Sequence, residues 1–517
     1  MSTTTPDRSY EALSYEWGQP PNGDFQIHLN NGHSVDITEN LAAALRDLRH
    51  QDPSLAPRPL WADGICINQK DMEERQDQVA MMSDIYRQAT RVITYMGTES
   101  DNSTGAIAAM ELYCEWWNNN GASSRVEMGS FTHEETIAIQ KLLSRGWKLL
   151  LMCGRRTLAH WSLLSDFVVH IFDGDLKEGG FLLLPQSSHG TDTRAECIYQ
   201  LALLRHKVQG RTISEECKLS WLLCDFQVFA ATQISDKVYS LMSVATDVNI
   251  PIDYARSARS VYLDAAKKIL ANADDFTILH HSFPSQGQYL PSWVPDWSKW
   301  HYGTEFVVRC GHLCPSGSTR PSVRVGELEN KIDLKGLLVG TVTFLGTPIN
   351  DHYQRSSNAG ERAQWVQQEL ESIKAHLNGT DPSLLMAECL VGADVFLDVR
   401  QRSTIGEGFV AHMKQPEAII DDVERSLVNS FVTAVRRRSR YSRLAVISGD
   451  YVANVPRGTM KGDWVGMMNG GKHLYVLRKT STEGEFTYVG ISYVSGLMQG
   501  EILASDSPSE GRWLTLV

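Results

Sequence analysis

Several acidic residues near the start of the chain could act as general acids, general bases or ligand-binding groups. Asp63 lies where an apolar segment meets a loop, so it either hydrogen-bonds backbone N–H groups of the Gly64 turn or contacts a ligand. Glu16 and Glu73 are most simply exposed charges, and Glu74 is explained by helix capping. Asp63, Glu73 and Glu16 are therefore the catalytic candidates, and Asp63 is the best of them.

A thiol near this loop offers a candidate nucleophile. Cys66 together with Ser14 or His33 could form a nucleophile–base pair, in which the base removes a proton from the attacking group. However, Cys66 lies between Ile65 and Ile67, in a short apolar run that is typical of a buried strand. We therefore predict that Cys66 belongs to the hydrophobic core.

A second cluster with possible ligand atoms follows later in the chain. Cys310, His312 and Cys314 offer two thiolates and one imidazole. A structural zinc site needs a fourth ligand, and no second Cys/His pair follows at ligand spacing. We therefore expect no metal site.

Three short apolar runs surround the loop that carries Asp63. Residues 60–62 and 65–67 resemble strands that are covered on both faces. Residues 92–96 are rich in β-branched and aromatic side chains, and Gly97 ends this run. The pattern predicts buried strands on both sides of a connecting helix.

The connecting helix has a clear start signal. Asp71 can accept hydrogen bonds from the free N–H groups of the first turn, and Glu74 completes a capping-box pattern. Apolar residues then recur at helical spacing and predict one buried stripe: Val79, Met82, Ile85, Tyr86 and Ala89. Strand, helix and strand together predict a βαβ-like unit.

The segment before this unit contains a strand, a hairpin and a helix. Residues 10–18 predict a strand, and residues 25–37 predict a hairpin with a type I′ turn at Asn31-Gly32. Thr38 is the predicted N-cap of a helix whose apolar face carries Leu41, Leu45 and Leu48.

Composition limits the classes of protein that this chain can represent. A length of 517 residues predicts two or three domains, and 42% hydrophobic with 21% charged residues is typical of an ordered globular protein. The net charge of −12 argues against nucleic-acid binding. Nine scattered cysteines indicate a reducing compartment, and no apolar run is long enough for a membrane span. We expect a cytoplasmic protein without a signal peptide.

Changes of pattern along the chain predict three domains. Residues 1–165 contain the α/β unit, and residues 166–305 have mainly helical periodicity. Residues 306–517 form an α+β region, in which strand patterns around 331–345 and glycine-spaced strands after 440 predict a small β-barrel or sandwich.

Several segments resemble the fungal heterokaryon-incompatibility (HET) domain family. Residues 10–18 end in Ser-Tyr-Glu-Trp-Gly, which is similar to the usual opening motif Ser-Tyr-x-Trp-Gly. Residues 61–69, Trp-Ala-Asp-Gly-Ile-Cys-Ile-Asn-Gln, match the central motif, and the match extends over about residues 9–165. Segments that resemble later parts of HET-domain proteins lie at 235–254, 290–297 and 462–501.

The resemblance implies a Toll/interleukin-receptor (TIR)-like, flavodoxin-like α/β fold with a parallel sheet. Such folds bind ligands beyond the carboxyl ends of their strands. We call this region the carboxyl edge: the ends of the first strand and of the strand containing Trp61, with the loops that follow them. The residues expected to line it are Ser14, Tyr15, Trp17, Gly18, Asp63, Cys66, Asn68 and Gln69.

The resemblance also makes NAD a candidate substrate, because catalytic TIR domains cleave its nicotinamide–ribose bond with a glutamate. HET domains commonly carry Arg-x-Trp-x-x-Gln-Glu in the corresponding region. Here Arg145-Gly146-Trp147 is followed directly by Lys148, and no carboxylate lies between Glu135 and Asp166. Either the Gln-Glu pair is truly lost or the gene model omits it, and the printed sequence argues against glutamate-dependent NAD cleavage.

Two functions follow from these expectations. The first is non-self recognition (vegetative incompatibility) and cell-death signalling, through self-association or a protein partner encoded at an incompatibility locus. The alternative is a HET-fold protein that acts as a catalyst or accessory factor in secondary-metabolite biosynthesis, for example as a small-molecule cyclase or isomerase. The sequence identifies no cofactor, and NAD enters only as a candidate substrate.

Overall fold

The computed structural model describes about three fifths of the 517-residue chain. These residues are 9–95, 97–98, 105–109, 111–112, 152–153, 156–157, 186–187, 190–191, 217–282 except 228, 230 and 232, 290–299, 313–349 except 327 and 329, 359–379, 381–391, 435, 442–504 and 511–517. The chain divides into two compact units. The first comprises Met1–Glu216 with Pro251–Ala255, and the second comprises Cys217–Ile250 with Arg256–Val517.

The first unit is built on a mainly parallel sheet. The described strands of the whole unit are β1 (Glu11–Tyr15), β2 (Gln26–His28), β3 (Ser34–Asp36), β4 (Leu60–Ala62), β5 (Arg91–Tyr95), β6 (Met152–Cys153), β7 (Arg156–Thr157), β8 (Gln186–Ser187) and β9 (Gly190–Thr191). The sheet has the order β4-β1-β5-β6-β7. β1 is parallel to both β4 and β5, with Leu13 opposite Ala62 on one side and Ile93 on the other.

The predicted hairpin and the helix that follows it are confirmed. β2 and β3 pair in antiparallel fashion with Ile27 opposite Val35. Helix α1 (Glu39–Leu48) begins after Thr38, whose side chain accepts a hydrogen bond from the Leu41 N–H. Its apolar face packs on β1 and β5, because Leu13, Leu41 and Ile93 belong to one buried cluster.

The predicted type I′ turn of this hairpin is wrong. A type I′ turn needs a positive φ at both central residues, and here only Gly32 has one, +84°. The Leu29 N–H donates to the His33 carbonyl at 2.8 Å, which closes a three-residue loop. Three-residue hairpin loops commonly place glycine in the left-handed region at their last position, and Gly32 serves this role.

The predicted strand at residues 65–67 is also wrong. The backbone turns at once after β4 into a one-turn helix, α2 (Asp63–Cys66). The Asp63 side chain accepts from the Gly64 N–H at 2.8 Å, and its carbonyl accepts from the Ile67 N–H at 3.2 Å. Cys66 is consequently exposed, so the prediction of a core cysteine fails because three apolar residues are too few to define a strand.

Helix α3 (Met72–Gln88) runs from Asp71 to the start of β5, as predicted. The predicted apolar stripe lies on one face, but all five of its residues are half-buried and none is fully buried. Tyr86 of this stripe packs edge-on against Trp61 of β4, with ring centroids 5.5 Å apart. The helix therefore covers the sheet with aromatic contacts that remain partly open to solvent.

Charged side chains join the strands at the amino edge of the sheet. Arg58, just before β4, forms a salt bridge of 2.7 Å with Glu11 at the start of β1 and donates to the Leu48 carbonyl at 2.9 Å. Arg91, at the start of β5, pairs with the other oxygen of Glu11. Glu11, at the start of β1, thus connects the start of β5 with the segment just before β4.

The second unit begins with helices. These are α4 (Leu219–Asp225), α5 (Asp236–Tyr239) and α6 (Ala258–Ala271), followed by a 3-10 helix over Thr277–His281. α6 starts after Ser257, whose side chain accepts from the Ser260 N–H. Trp293 and Trp297 are buried, and Trp297 packs edge-on against Tyr262 of α6 at 5.0 Å.

The described strands of the second unit form a closed β-barrel. Its strands are β10 (Val323–Arg324), β11 (Ile332–Pro348), β12 (Ser442–Ile447), β13 (Tyr451–Pro456), β14 (Trp464–Met468), β15 (Leu474–Lys479), β16 (Glu485–Val494) and β17 (Arg512–Leu516). The order β11-β12-β13-β16-β15-β14 returns to β11, because the first half of β11 pairs with β14 and its second half with β12. Of the two predicted forms, barrel or sandwich, the structure has the barrel.

Two hydrophobic cores stabilise the barrel unit. One fills the barrel and includes Val465, Val476 and Val494. The other lies between the outer face of β12–β13 and two helices, α7 (Ala359–Lys374) and α8 (Ser383–Val391). The predicted boundaries at 165 and 305 stay predictions.

Candidate functional site

The carboxyl ends of β1 and β4 bring the two motif segments together. Because these strands are parallel neighbours, Tyr15 and Ala62 end at the same edge of the sheet. The loop 16–18 leaves β1 there, and the segment 63–69 leaves β4. This is the carboxyl edge that the sequence predicts.

One hydrogen bond joins the two loops. The indole Nε1 of Trp17 donates to Oδ2 of Asp63 at 2.9 Å. The other carboxylate oxygen, Oδ1, accepts from the Gly64 N–H at 2.8 Å. Both oxygens of Asp63 are thus engaged by the protein itself, and Asp63 is half-buried.

Tyr15 lies beneath this hydrogen bond. It is 3% exposed, and its hydroxyl faces Asp63 and Gly64 without a well-formed hydrogen bond to any described residue. Burial and the negative charge of Asp63 raise the pKa of Tyr15 above its usual value. A Cβ atom on Gly64 would lie 2.4 Å from the Tyr15 hydroxyl oxygen, so only glycine fits at position 64 in this arrangement.

A second tyrosine reaches the same region from helix α3. Burial and the Asp63 charge raise the pKa of Tyr86, while a hydrogen bond with the Ser14 side chain acts in the opposite direction. The spacing of apolar residues places Tyr86 only in an apolar stripe. The signal available was its hydroxyl, since a buried tyrosine usually directs this group to a polar partner.

The segment after α2 is held by its own side chains. Gln69 donates from Nε2 to the Asp63 carbonyl at 3.0 Å. Asp71 caps α3 by accepting from the N–H groups of Glu73 and Glu74. The predicted capping box is incomplete, because the Glu74 carboxylate accepts from the Asn68 N–H at 3.0 Å and not from Asp71.

Three residues predicted to line the edge and two of the acidic catalytic candidates are exposed. Glu16, Gly18, Cys66 and Asn68 face solvent, and Glu73 is exposed at the start of α3. The Glu16 carbonyl accepts from Nδ2 of Asn40 at 3.0 Å, which holds the backbone of the loop while its carboxylate remains outside.

The proposed nucleophile–base pair is not assembled. Cys66 is exposed at the end of α2, Ser14 bonds to Tyr86, and His33 lies in the hairpin loop. Among the hydrogen bonds of the described residues, none joins Cys66 to either partner. Where the structure describes the chain, it therefore gives no support to a cysteine nucleophile at this edge.

The other chemical candidates are only partly described. Cys310, His312 and the segment 145–151 lie outside the described residues. Cys314 is described, and its thiol donates to the Gly317 carbonyl at 3.1 Å. Within the described ranges, no group of three or more His, Cys, Asp or Glu residues is arranged to hold a metal ion.

The two segments that meet at this edge both lie within a region that matches a known family model. Residues 10–149 match the family model "Heterokaryon incompatibility protein (HET)", and residues 415–511 match "Het-6 beta-barrel domain". The chain carries a HET domain. The Trp17–Asp63 hydrogen bond therefore joins two sequence motifs of the HET domain across neighbouring strands. β11, which closes the barrel, precedes the segment that matches the barrel family.

A curated relative extends the similarity beyond the HET domain. The chain is 26% identical over 442 residues to "Heterokaryon incompatibility protein 6, OR allele" of Neurospora crassa, an alignment that covers 69% of this chain. It spans 63% of the length of that relative. No solved structure matches the chain. Of the helices that the structure describes, none is both long enough and apolar enough to cross a bilayer.

Proposed function

We propose that this HET-domain protein acts in fungal non-self recognition (vegetative incompatibility), and that its HET domain signals growth arrest or cell death in the cytoplasm. The observation that carries the proposal is the joint similarity of residues 10–149 and 415–511 to HET-protein domains, together with a relative whose name states heterokaryon incompatibility. The TIR-like assignment of the fold is part of this proposal.

The geometry of the carboxyl edge favours a recognition surface over a catalytic centre. Asp63 uses both oxygens within the fold, and the Glu74 carboxylate is engaged by Asn68. A general base or a ribose-binding carboxylate needs an oxygen that can reach the substrate. Glu16 and Glu73 satisfy this condition but are exposed, so neither has the water-excluding surroundings in which charge stabilisation is strong.

The loops 16–18 and 63–69, which we call the pinned loops because the Trp17–Asp63 hydrogen bond joins them, are better suited to binding another protein. The bond between Trp17 and Asp63 fixes the backbone of both loops, while Glu16, Cys66 and Asn68 remain exposed on top of them. Rigid backbone with exposed polar side chains is what a specific protein contact uses, because little conformational entropy is lost on binding. We infer that the edge contacts a protein partner or a second copy of this chain.

The direct cellular test is inducible expression of the full chain in a filamentous fungus, with colony growth and uptake of a vital dye as readouts. Trp17→Phe retains the aromatic ring but removes the Nε1–H donor, so we expect it to weaken growth arrest while the protein level on immunoblots stays unchanged. Arg87→Ala is the matched control, because Arg87 is exposed at the far end of α3. Full growth arrest by Trp17→Phe would contradict the role of the pinned loops.

NAD turnover separates signalling by contact from signalling by catalysis. Purified full-length protein, incubated with NAD while nicotinamide release is followed, should show no turnover above a buffer control. Glu16→Gln and Glu73→Gln provide the decisive comparison. Turnover that either substitution abolishes would assign the edge to an NAD-cleaving enzyme and would overturn the recognition-surface proposal.

The alternative role in secondary-metabolite biosynthesis gains no specific support from the edge. A small-molecule site normally buries most of its ligand in a concave, largely apolar pocket, whereas three of the eight predicted edge residues, Gly18, Cys66 and Asn68, are exposed. Neighbouring synthase and oxygenase genes would favour this role over incompatibility.

A further inference from the structure

Three histidines meet in the second unit, far along the chain from the HET motifs. His280 and His281 end the 3-10 helix Thr277–His281, and His473 precedes β15 of the barrel. Their exposed fractions are only 4%, 1% and 2%. Complete burial of three imidazoles in one cluster is unusual, since histidine is normally only partly buried.

The cluster joins two separate parts of the unit. The rings of His280 and His473 are in edge-to-face contact, with centroids 4.5 Å apart and planes at 85°. A second contact links the same segments, because the Tyr488 hydroxyl of β16 donates to the Leu279 carbonyl at 2.7 Å. The 3-10 helix is thus attached to the outside of the barrel through polar side chains in a buried setting.

The surroundings of His280 suit only a neutral ring. Neither of its nitrogens has a hydrogen-bond partner among the described residues. Asp275 cannot compensate a charge there, because its Oδ2 pairs with Lys472 at 2.7 Å and its Oδ1 accepts from the Thr277 N–H. Burial lowers the pKa of His280 well below its usual value, and the charges of His473, His281 and Lys472 add to the effect.

Two ionisable side chains near the cluster, Asp275 and Tyr475, have pKa values that are shifted away from the mildly acidic range. Burial alone would raise the pKa of Asp275, but the Lys472 charge and the hydrogen bonds from Lys472 and Thr277 together outweigh burial and lower it. Burial raises the pKa of Tyr475 far above this range. His281 faces Cys224, with 2.7 Å between Nε2 and Sγ. The imidazoles are therefore the groups of this cluster that gain a proton in mildly acidic conditions once they reach water.

We propose that the His280–His473 contact is an acid-sensitive lock, which holds the Thr277–His281 helix on the barrel at neutral pH and releases it when the imidazoles become protonated. Two imidazolium ions 4.5 Å apart in a buried setting repel strongly, and Lys472 adds a third positive charge. Release places each ring in water, where its charge is solvated.

The expected pH dependence follows from proton linkage. The closed state binds fewer protons than the open state, because the pKa of His280 in the fold lies below its ordinary value. The equilibrium constant for opening is therefore constant above about pH 6.5 and rises as the pH falls, by roughly tenfold per pH unit for each suppressed histidine. The opening constant stops rising only below the pKa that the histidine has in the closed state.

Hydrogen exchange of the full-length protein measures this opening directly. Peptides covering residues 275–282 and 472–476 are followed by mass spectrometry from pH 7.5 to 5.0, with rates corrected for intrinsic exchange. We expect the protection of both peptides to be constant down to about pH 6.5 and then to fall at least tenfold per pH unit. Protection that does not change with pH in the wild-type protein would overturn the proposal.

Substitutions assign the effect to the cluster. His280→Leu removes one titrating ring at similar volume. The hydrogen-exchange protection of both peptides in this variant should therefore decrease with falling pH by a factor per pH unit that is about ten times smaller than in the wild type. His33→Leu, in the exposed hairpin loop of the first unit, should retain the wild-type dependence. If His280→Leu does not fold, His473→Leu provides the same comparison. A wild-type slope in a folded variant of either residue would assign acid sensitivity to other groups and contradict the lock.

Discussion

At the amino edge of the parallel sheet, Glu11 joins the start of β5 and the segment just before β4 through Arg91 and Arg58, whereas at the carboxyl edge Asp63 joins two loops through Trp17 and Gly64. In the first arrangement, one carboxylate forms ion pairs with two guanidinium groups. The second places a carboxylate between an indole, a backbone amide and two tyrosines whose pKa values are raised. We therefore expect the amino edge to contribute to stability only, whereas the carboxyl edge fixes loops that carry exposed side chains.

Among the substitutions that compare the two edges, Gly64→Ala should cause the largest loss of stability. The added methyl group would lie 2.4 Å from the Tyr15 hydroxyl oxygen, which requires the edge to rearrange. We expect the free energy of unfolding to fall by about 3 kcal/mol, at the upper end for overpacking. Chemical denaturation of the purified protein measures the loss.

Tyr15→Phe supplies the control for this clash. The double variant Gly64→Ala/Tyr15→Phe lacks the hydroxyl that the methyl group meets, so it should regain much of the lost stability. If the double variant is as unstable as Gly64→Ala, then the close contact between Gly64 and Tyr15 does not determine the structure of the carboxyl edge.

Asp63→Ala should have the next largest effect. It leaves the Trp17 Nε1–H and the Gly64 N–H without their acceptor, and we expect a loss of about 2 kcal/mol from such unpaired groups. Thermal denaturation and growth arrest are measured on the same variant. A loss of function with unchanged stability would mean that Asp63 binds a ligand and that the pinning role is wrong.

Glu11→Gln should have the smallest effect. It keeps one hydrogen-bond acceptor and loses the charge between two arginines, and Arg91 is largely exposed. Since exposed ion pairs contribute little, we expect a loss of about 1 kcal/mol. Growth arrest at matched protein level should be unchanged, because the amino edge carries no functional loop. Reduced growth arrest in a stable Glu11→Gln protein would break the distinction between the edges.

Local signals predicted the elements of the first unit well. Thr38 and Asp71 act within the first turn of their helices, so their roles can be inferred from a few neighbouring residues. Strands β1, β4 and β5 followed from short apolar or β-branched runs. β11 followed from the strand pattern around residues 331–345. The glycine-spaced strands after residue 440 predicted a barrel or a sandwich, of which the structure has the barrel.

The errors and omissions concern contacts that depend on distant partners or on single backbone angles. The predicted turn requires a positive φ at both Asn31 and Gly32, but only Gly32 has one. The one-turn helix α2 forms because the Asp63 side chain accepts a hydrogen bond from the amide that follows it. The bond from Trp17 to Asp63 spans 46 residues and exists only because β1 and β4 are parallel neighbours. For the same reason, sequence patterns did not reveal that Tyr86 approaches Ser14 and Asp63.

A double-mutant cycle on Trp17 and Asp63 tests the central claim most directly. Trp17→Phe, Asp63→Ala and the double variant are expressed at matched levels, and the expression level that halves colony growth is measured for each. If Asp63 acts by holding Trp17, the double variant should be no weaker than Asp63→Ala alone. Effects that multiply would show that Asp63 acts independently of Trp17, as a catalytic or ligand-binding carboxylate, and would contradict the account.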